Sequence, residues 1–242
     1  MSFLKAEWRK LAIANFEVEK NVLDNYIPYG TELDIWQGKC YVSVVGFLFV
    51  NTKVLGIKIP YHTNFEEVNL RFYVKRYENG SWKRGVVFIK EIVPRRAITC
   101  VANFVYNENY QTLKMKHRWE EYETNRLTEY QWNKKGKWQT FKVISSVNTS
   151  EIKPETEAEF ITEHYWGYSK RKDGSSSEYE VTHPRWEQYE VLDYELDVDF
   201  ELTYGSDFEF LNSKNPCSVM LAEGSEITVE SKNIIVHNDK KA

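Results

Sequence analysis

The sequence predicts a mainly β protein: a single antiparallel-rich barrel spanning residues 1–242, with two or three short helices. Three observations carry that prediction. Apolar Val68, Leu70, Phe72 and Val74 alternate with Asn69, Arg71, Tyr73 and Lys75, the period-2 pattern of a strand with one apolar face. Aromatic residues make up 15% of the chain, and they favour strands over helices. Turn signals then separate the candidate strands: Asn79-Gly80 and the NKKGK run with Gly136 at its tip each read as the bend of a hairpin. A hydrophobic content of 42% supports a packed core over disorder.

In chain order, residues 11–18 predict a first strand, followed by a short helix near 19–26 that stops before Pro28. The run CYVSVVGFLFV at 40–50 is apolar almost throughout, as expected of a strand buried on both faces. The alternating strand around 68–74 pairs across Asn79-Gly80 with residues 82–92, whose Val86 to Ile89 form another buried run. Beyond Pro94, Ile98, Val101, Ala102 and Val105 recur at helical spacing and predict a helix over 95–106. Residues 112–122, 126–132 and 138–143 predict three more strands. Residues 154–165 read as a helix, with a proline and glutamates in the first turn and Phe160, Ile161 and His164 on one face. A polar loop is expected at 170–177, a long alternating strand at 188–202, and closing strands at 225–229 and 234–236. The tail from about residue 237 is expected to fray.

Net charge is −4, so no global positive field attracts nucleic acid. The longest apolar-rich run is well short of the ~20 residues of a spanning helix, and charges at Lys5, Glu7, Arg9 and Lys10 rule out a signal-peptide core. Three scattered cysteines, Cys40, Cys100 and Cys217, fit free thiols in a reducing compartment. These features predict a soluble, cytoplasmic protein with neither nucleic-acid nor membrane partners. They set no oligomeric state.

The common chemical motifs are absent. No GxSxG, GxGxxG or P-loop is present, and the five histidines fall in no metal-ligand spacing, so neither a metal nor a cofactor is expected. Asp193, Glu195, Asp197, Asp199 and Glu201 alternate along one strand face. Successive members lie ~6.6 Å apart, too spread to converge on one ion, so they predict a solvated face. Lys114, Lys116 and Arg118 read the same way. What remains is charge gathered where a buried strand meets a helix: Lys90, Glu91, Arg95 and Arg96, with Arg71 on the paired strand. Strand side chains alternate, so some of these must point into a closed barrel, and a buried guanidinium needs a carboxylate or an anionic ligand. His183, before Pro184 in VTHPRW, is a further pocket candidate.

Several stretches resemble the YqjF-like family of uncharacterised bacterial proteins: AEWRKLA at 6–12, IPYGTELD at 27–34, GKCYVSVVGFLF at 38–49, NLRFYV at 69–74, GVVFIKEIVP at 85–94, HPRWEQYEV at 183–191 and LAEGSEI at 221–227. That resemblance implies the fold of acetoacetate decarboxylase, a cone-shaped β-barrel around a small cavity. In that enzyme a proline precedes two lysines, the first of which forms an imine with the ketone while the second lowers its pKa. Those positions resemble Pro94, Arg95 and Arg96 here, and a guanidinium is no amine nucleophile. The enzyme's two supporting carboxylates would fall near Val54 and Tyr41, neither acidic, and its substrate-side arginine would survive as Arg9.

Three functions follow as expectations. The first is a barrel binding a small carboxylate or carbonyl compound, with Arg9 and Arg95 as anion-binding groups. The second is a lyase or decarboxylase using Lys90 or another lysine as imine former. The third is an interaction protein that presents exposed Trp and Tyr side chains.

Overall fold

A computed structural model describes residues 2–236; the expected fraying from residue 237 lies outside the described residues. Its strands are β1 (Leu4–Val18), β2 (Glu32–Leu33), β3 (Cys40–Val54), β4 (Phe65–Glu78), β5 (Ser81–Val93), β6 (Tyr110–Thr112), β7 (Lys114–Glu121) and β8 (Asn125–Lys134). Then come β9 (Lys137–Glu151), β10 (Trp166–Lys170), β11 (Ser176–Thr182), β12 (Glu187–Asp197), β13 (Ser218–Val229) and β14 (Asn233–Ile235). Short helices α1 (Arg96–Val101), α2 (Glu157–Thr162) and α3 (Phe200–Tyr204) interrupt them, with 3-10 turns at Lys20–Tyr26 and Ser206–Ser213.

The predicted hairpins form. Asn79 and Gly80 adopt φ of 51° and 83°, and Lys135 and Gly136 φ of 50° and 89°, so both turns have the left-handed pair of residues that matches the twist of the strands they join. The helix expected over 95–106 is α1 continued by one π turn to Tyr106.

Three expectations need correction. Residues 171–175 are the bend of a hairpin between β10 and β11, and Lys170, Ser176 and Ser177 belong to its ladder, which runs from Trp166↔Glu180 to Lys170↔Ser176. The long strand over 188–202 ends at Asp197, because the Asp199 carboxylate accepts the Leu202 amide and starts α3. The helix over 154–165 shortens to α2, started by Thr156, whose hydroxyl accepts the Glu159 amide, while Glu159 accepts the Glu155 amide.

One mixed sheet contains the strands, and it curls back on itself. Following β13-β1-β3-β4-β5-β10-β11 leads back to β13 through Val181↔Val229 and Thr182↔Thr228. The expected barrel is therefore a seven-strand ring closed by a two-residue ladder. From β13 a second arm, β12-β9-β8-β7, leaves the ring and folds over its outside.

Two apolar cores result. Between arm and ring pack Ala12, Phe16, Val44, Leu70, Phe72 and Val87 against Tyr130, Trp132, Phe141 and Val143. Gly46 permits this contact: a Cβ there would lie 2.8 Å from the Tyr130 ring. The Tyr130 hydroxyl donates to the Lys10 carbonyl at 2.7 Å, and His117 of β7 pairs with Glu66 of β4 at 2.8 Å. The second core lies inside the ring, with Leu11, Ile13, Val45, Phe47 and Phe49 facing Phe160, Ile161 and Trp186. Among the described residues, no helix is long and apolar enough to cross a membrane.

Candidate functional site: a cavity inside the ring

The inner core is incomplete. A cavity of about 220 Å³ occupies the ring, bordered by aromatic side chains such as Trp8, Phe47, Phe65 and Phe88 and, towards its outer end, by Ile59, His62 and Val101. Ile59 and Val101 are exposed, so the cavity opens between the loop after β3 and helix α1.

Polar groups line one side. On β4, Glu67, Asn69 and Arg71 face inward, because Val68, Leu70 and Phe72 on the opposite face belong to the core under the arm. The polar half of the alternation read from the sequence is thus the wall of the cavity.

A bulge decides what β5 contributes. Arg71 stands opposite Phe88 and Leu70 opposite Lys90, which leaves Ile89 without a partner. The extra residue reverses the alternation. Lys90 turns to the arm side, where its ammonium donates to the Thr203 carbonyl at 2.6 Å, and Glu91, opposite Asn69, faces the cavity. Burial and then the nearby Lys134 charge lower the Lys90 pKa.

Of the other sequence candidates, Arg71, Glu91 and His183 border the cavity. Arg95 and Arg96 are exposed at the start of α1. Against the effect of burial, the His117 hydrogen bond and, more weakly, the Arg95 charge hold Glu66 below the usual carboxylate range. Arg9 faces outward, bonded to Glu7 at 2.6 Å and near Glu223 at 3.6 Å. Among the described residues that border the cavity there is no lysine, so the imine chemistry expected of Lys90 has no amine there.

Sequence reasoning missed Glu67, Glu108, Tyr110, Tyr179 and His164. Asn69 donates to Glu67 at 3.0 Å and the Tyr110 hydroxyl donates to its other oxygen at 3.0 Å. Burial nevertheless pushes Glu67 up to about 7 and Glu108 up to about 8, while burial and the charges of Glu108 and Glu67 raise Glu91 well above the usual range. Tyr110 and Tyr179 are raised as well, first by burial and then by these carboxyls. Near neutral pH Glu108 is therefore mostly protonated and Glu67 about half so, with Glu91 shifted in the same direction.

Arg71 differs. It is buried, forms no ion pair among the described residues, and makes one long hydrogen bond, 3.4 Å to the Ile161 carbonyl; its Nε has no partner. Nearby, His164 donates from Nε2 to Asp34 at 3.1 Å, and Asp34 also accepts from Arg84 at 2.6 Å. Burial would raise Asp34, but these two hydrogen bonds outweigh it and hold the carboxyl below its ordinary value. Burial lowers His164 to about 4 against the pull of Asp34, so its ring is neutral, with Nδ1 unpartnered. His183 stacks on Trp186 with ring centres 4.3 Å apart.

Residues 5–226 match the model of DUF2071, a family of uncharacterised conserved proteins. The chain belongs to the DUF2071 family. The uncharacterised protein YqjF of Bacillus subtilis (strain 168) is 26% identical over 114 residues, which is 47% of this chain and 46% of that protein. The chain therefore matches less than half the length of that relative. Solved structures similar to this DUF2071 member include acetoacetate decarboxylase from Legionella pneumophila, with TM-score 0.63 and 11% identity over 97% of this chain and 87% of that one. The enduracididine biosynthesis enzyme MppR, complexed with pyruvate, superposes with TM-score 0.67 and 10% identity, covering 98% and 91%. An acetoacetate decarboxylase-like enzyme from Sphingomonas wittichii RW1 gives 0.63 and 10%, covering 97% and 94%. At these identities the likeness establishes a shared fold. This DUF2071 member thus has an acetoacetate decarboxylase-like fold, with no lysine among the described residues bordering the cavity.

Proposed function

We propose that the protein binds a small organic molecule inside the ring and holds a carboxylate or carbonyl group of that molecule on Arg71. The observation that carries this reading is the Arg71 side chain itself, a buried guanidinium bordering a cavity without an ion-pair partner among the described residues. A buried charge is costly unless paired, and a guanidinium fork suits a carboxylate in two places. The apolar walls suit a carbon skeleton, and the pyruvate bound to a protein of the same fold is a ligand of the expected class.

Calorimetry with pyruvate and with benzoate tests the reading. We expect binding in the native protein and a loss of at least about tenfold in Arg71→Gln, the size of a hydrogen bond to a charged group. Equal binding by the variant, or no binding of either acid at millimolar concentration, would overturn it.

A further inference from the structure

Arg71 accounts for one end of the polar wall. The other end holds an excess of acceptors. Three buried oxygens have no hydrogen-bond partner: Asn69 Oδ1, Glu91 Oε2 and Glu108 Oε1. All three residues border the cavity, and Asn69 and Glu91 are 1% and 2% exposed. Sheet register brings them together. Asn69 is opposite Glu91 on the antiparallel ladder, Glu91 is opposite Tyr110 on the parallel one, and Glu108 precedes Tyr110 by two residues. We propose that this end of the cavity is a subsite for a protonated amine, so that the ring accepts ligands carrying a cationic nitrogen.

The chemistry of the unpartnered atoms selects that class. An ammonium group brings three N–H donors and no acceptor, matching three orphaned acceptors. A carboxylate could accept from the protonated carboxyls, but it would add a second negative group to a site already crowded with acids and would leave Asn69 Oδ1, which only accepts, without a donor. A neutral carbonyl could accept a hydrogen bond from one carboxyl O–H but would leave Asn69 Oδ1 without a donor. The groups facing the subsite from each packed element are Glu67 and Arg71 on β4, Glu91 on β5, Glu108, Tyr110 on β6 and Tyr179 on β11. Arg71 is the only cation among them, and it lies one inward position beyond Asn69, about 6.6 Å along the strand.

The proton balance is explicit. The free acids carry protons at neutral pH, held there by burial and mutual repulsion. When an ammonium enters, a carboxyl O–H breaks, the proton leaves to buffer, and the new carboxylate pairs with the ammonium. Amine binding therefore releases protons and tightens as pH rises from about 6 to about 8.

The inference rests on the reading of the cavity as a ligand site, and probes sharing one ring separate the two: benzylamine carries only the cation and benzoate only the anion. Titration calorimetry in two buffers of different ionisation enthalpy would compare the native protein with Glu91→Gln, Glu108→Gln and Arg71→Gln. We expect benzylamine to bind with proton release, and to weaken at least about tenfold in Glu91→Gln, while benzoate binding is retained there and lost in Arg71→Gln. If Glu91→Gln does not fold, Glu108→Gln gives the same comparison, and proton release by the native protein stands by itself. Unchanged benzylamine affinity in the glutamine variants, affinity that falls with rising pH, or no benzylamine binding at millimolar concentration would each overturn the subsite. Benzylamine binding by a native protein that does not bind benzoate, or benzoate binding unchanged in Arg71→Gln, would leave the subsite standing and remove the Arg71 reading.

Discussion

The two faces of β4 show the division of labour in this fold. Towards the arm, Val68, Leu70, Phe72 and Val74 are fully buried in a packed layer of aliphatic and aromatic side chains. Towards the ring interior, Glu67, Asn69 and Arg71 are also buried but border open space, and Asn69 and Arg71 carry orphaned polar atoms. The first arrangement stabilises through apolar burial and close packing. The second costs stability, since buried polar groups without partners are unfavourable. Conflicts of this kind between local cost and global packing are expected at functional sites, which is why the proposed ligand site is placed on this wall.

Substitutions should separate the faces. The largest effect is expected at Phe72→Ala, which opens a void in the packed layer and should cost about 3–5 kcal/mol in chemical denaturation. Phe88→Ala, on the cavity side, should cost clearly less because its ring already borders space. Equal losses would mean that the ring interior is packed as tightly as the outer layer.

Gly46→Ala comes next. Its Cβ would press on the Tyr130 ring, and overpacking of this kind costs about 1–3 kcal/mol. Pairing it with Tyr130→Leu should recover part of the loss in a double-mutant cycle; strict additivity would show that the arm docks elsewhere.

The acid wall should be visible in the pH dependence of stability. Glu67, Glu91 and Glu108 are raised in the folded chain, chiefly by burial, the first to about 7 and the last to about 8. Above the ordinary value of 4.5 the unfolded chain gives up these protons while the folded chain keeps them. Their contribution is therefore complete below 4.5 and is lost as pH rises towards the folded values, by about 1.4 kcal/mol per pH unit for each carboxyl in that window. His164, lowered to about 4 by burial, works in the opposite direction below its ordinary 6.5. The cleanest reading is thus a difference: Glu108→Gln should flatten the decline between about 6.5 and about 8 relative to the native protein. Parallel curves would place Glu108 in contact with water.

The smallest effect is expected on the outer face of β12. Asp193, Glu195 and Asp197 are exposed, and Glu195 pairs with Lys142 in solvent. Glu195→Ala should change stability by less than about 0.5 kcal/mol; a larger loss would mean that this face is covered.

Much of this architecture was legible in the chain because the relevant signals are local. Alternation at Val68 to Val74, the Asn79-Gly80 turn and the exposed acids Asp193, Glu195 and Asp197 all rest on side-chain period and on a few backbone angles, which neighbouring residues set; the row's expected continuation through Asp199 and Glu201 stops where α3 begins. The end of β12 was missed because the pattern continues through Phe200 and Leu202, while the Asp199 cap overrides it. The strands of the β10–β11 hairpin were missed because Ser175, Ser176 and Ser177 are buried there without an apolar pattern to announce it.

The site was legible only in part, for a related reason. That a charged cluster near Glu91 and Arg71 would face an interior followed from alternation and the cost of buried charge, both readable from sequence. Which of Lys90 and Glu91 points inward depends on one unpaired residue, Ile89, and a bulge is a property of two strands in register. Glu108 reaches the polar face of β4 through the parallel β5–β6 ladder, and His164 and Tyr179 through the far side of the ring. Local chemistry determined the strands and one greasy face; long-range pairing decided that the other face encloses a cavity, and which charges line it.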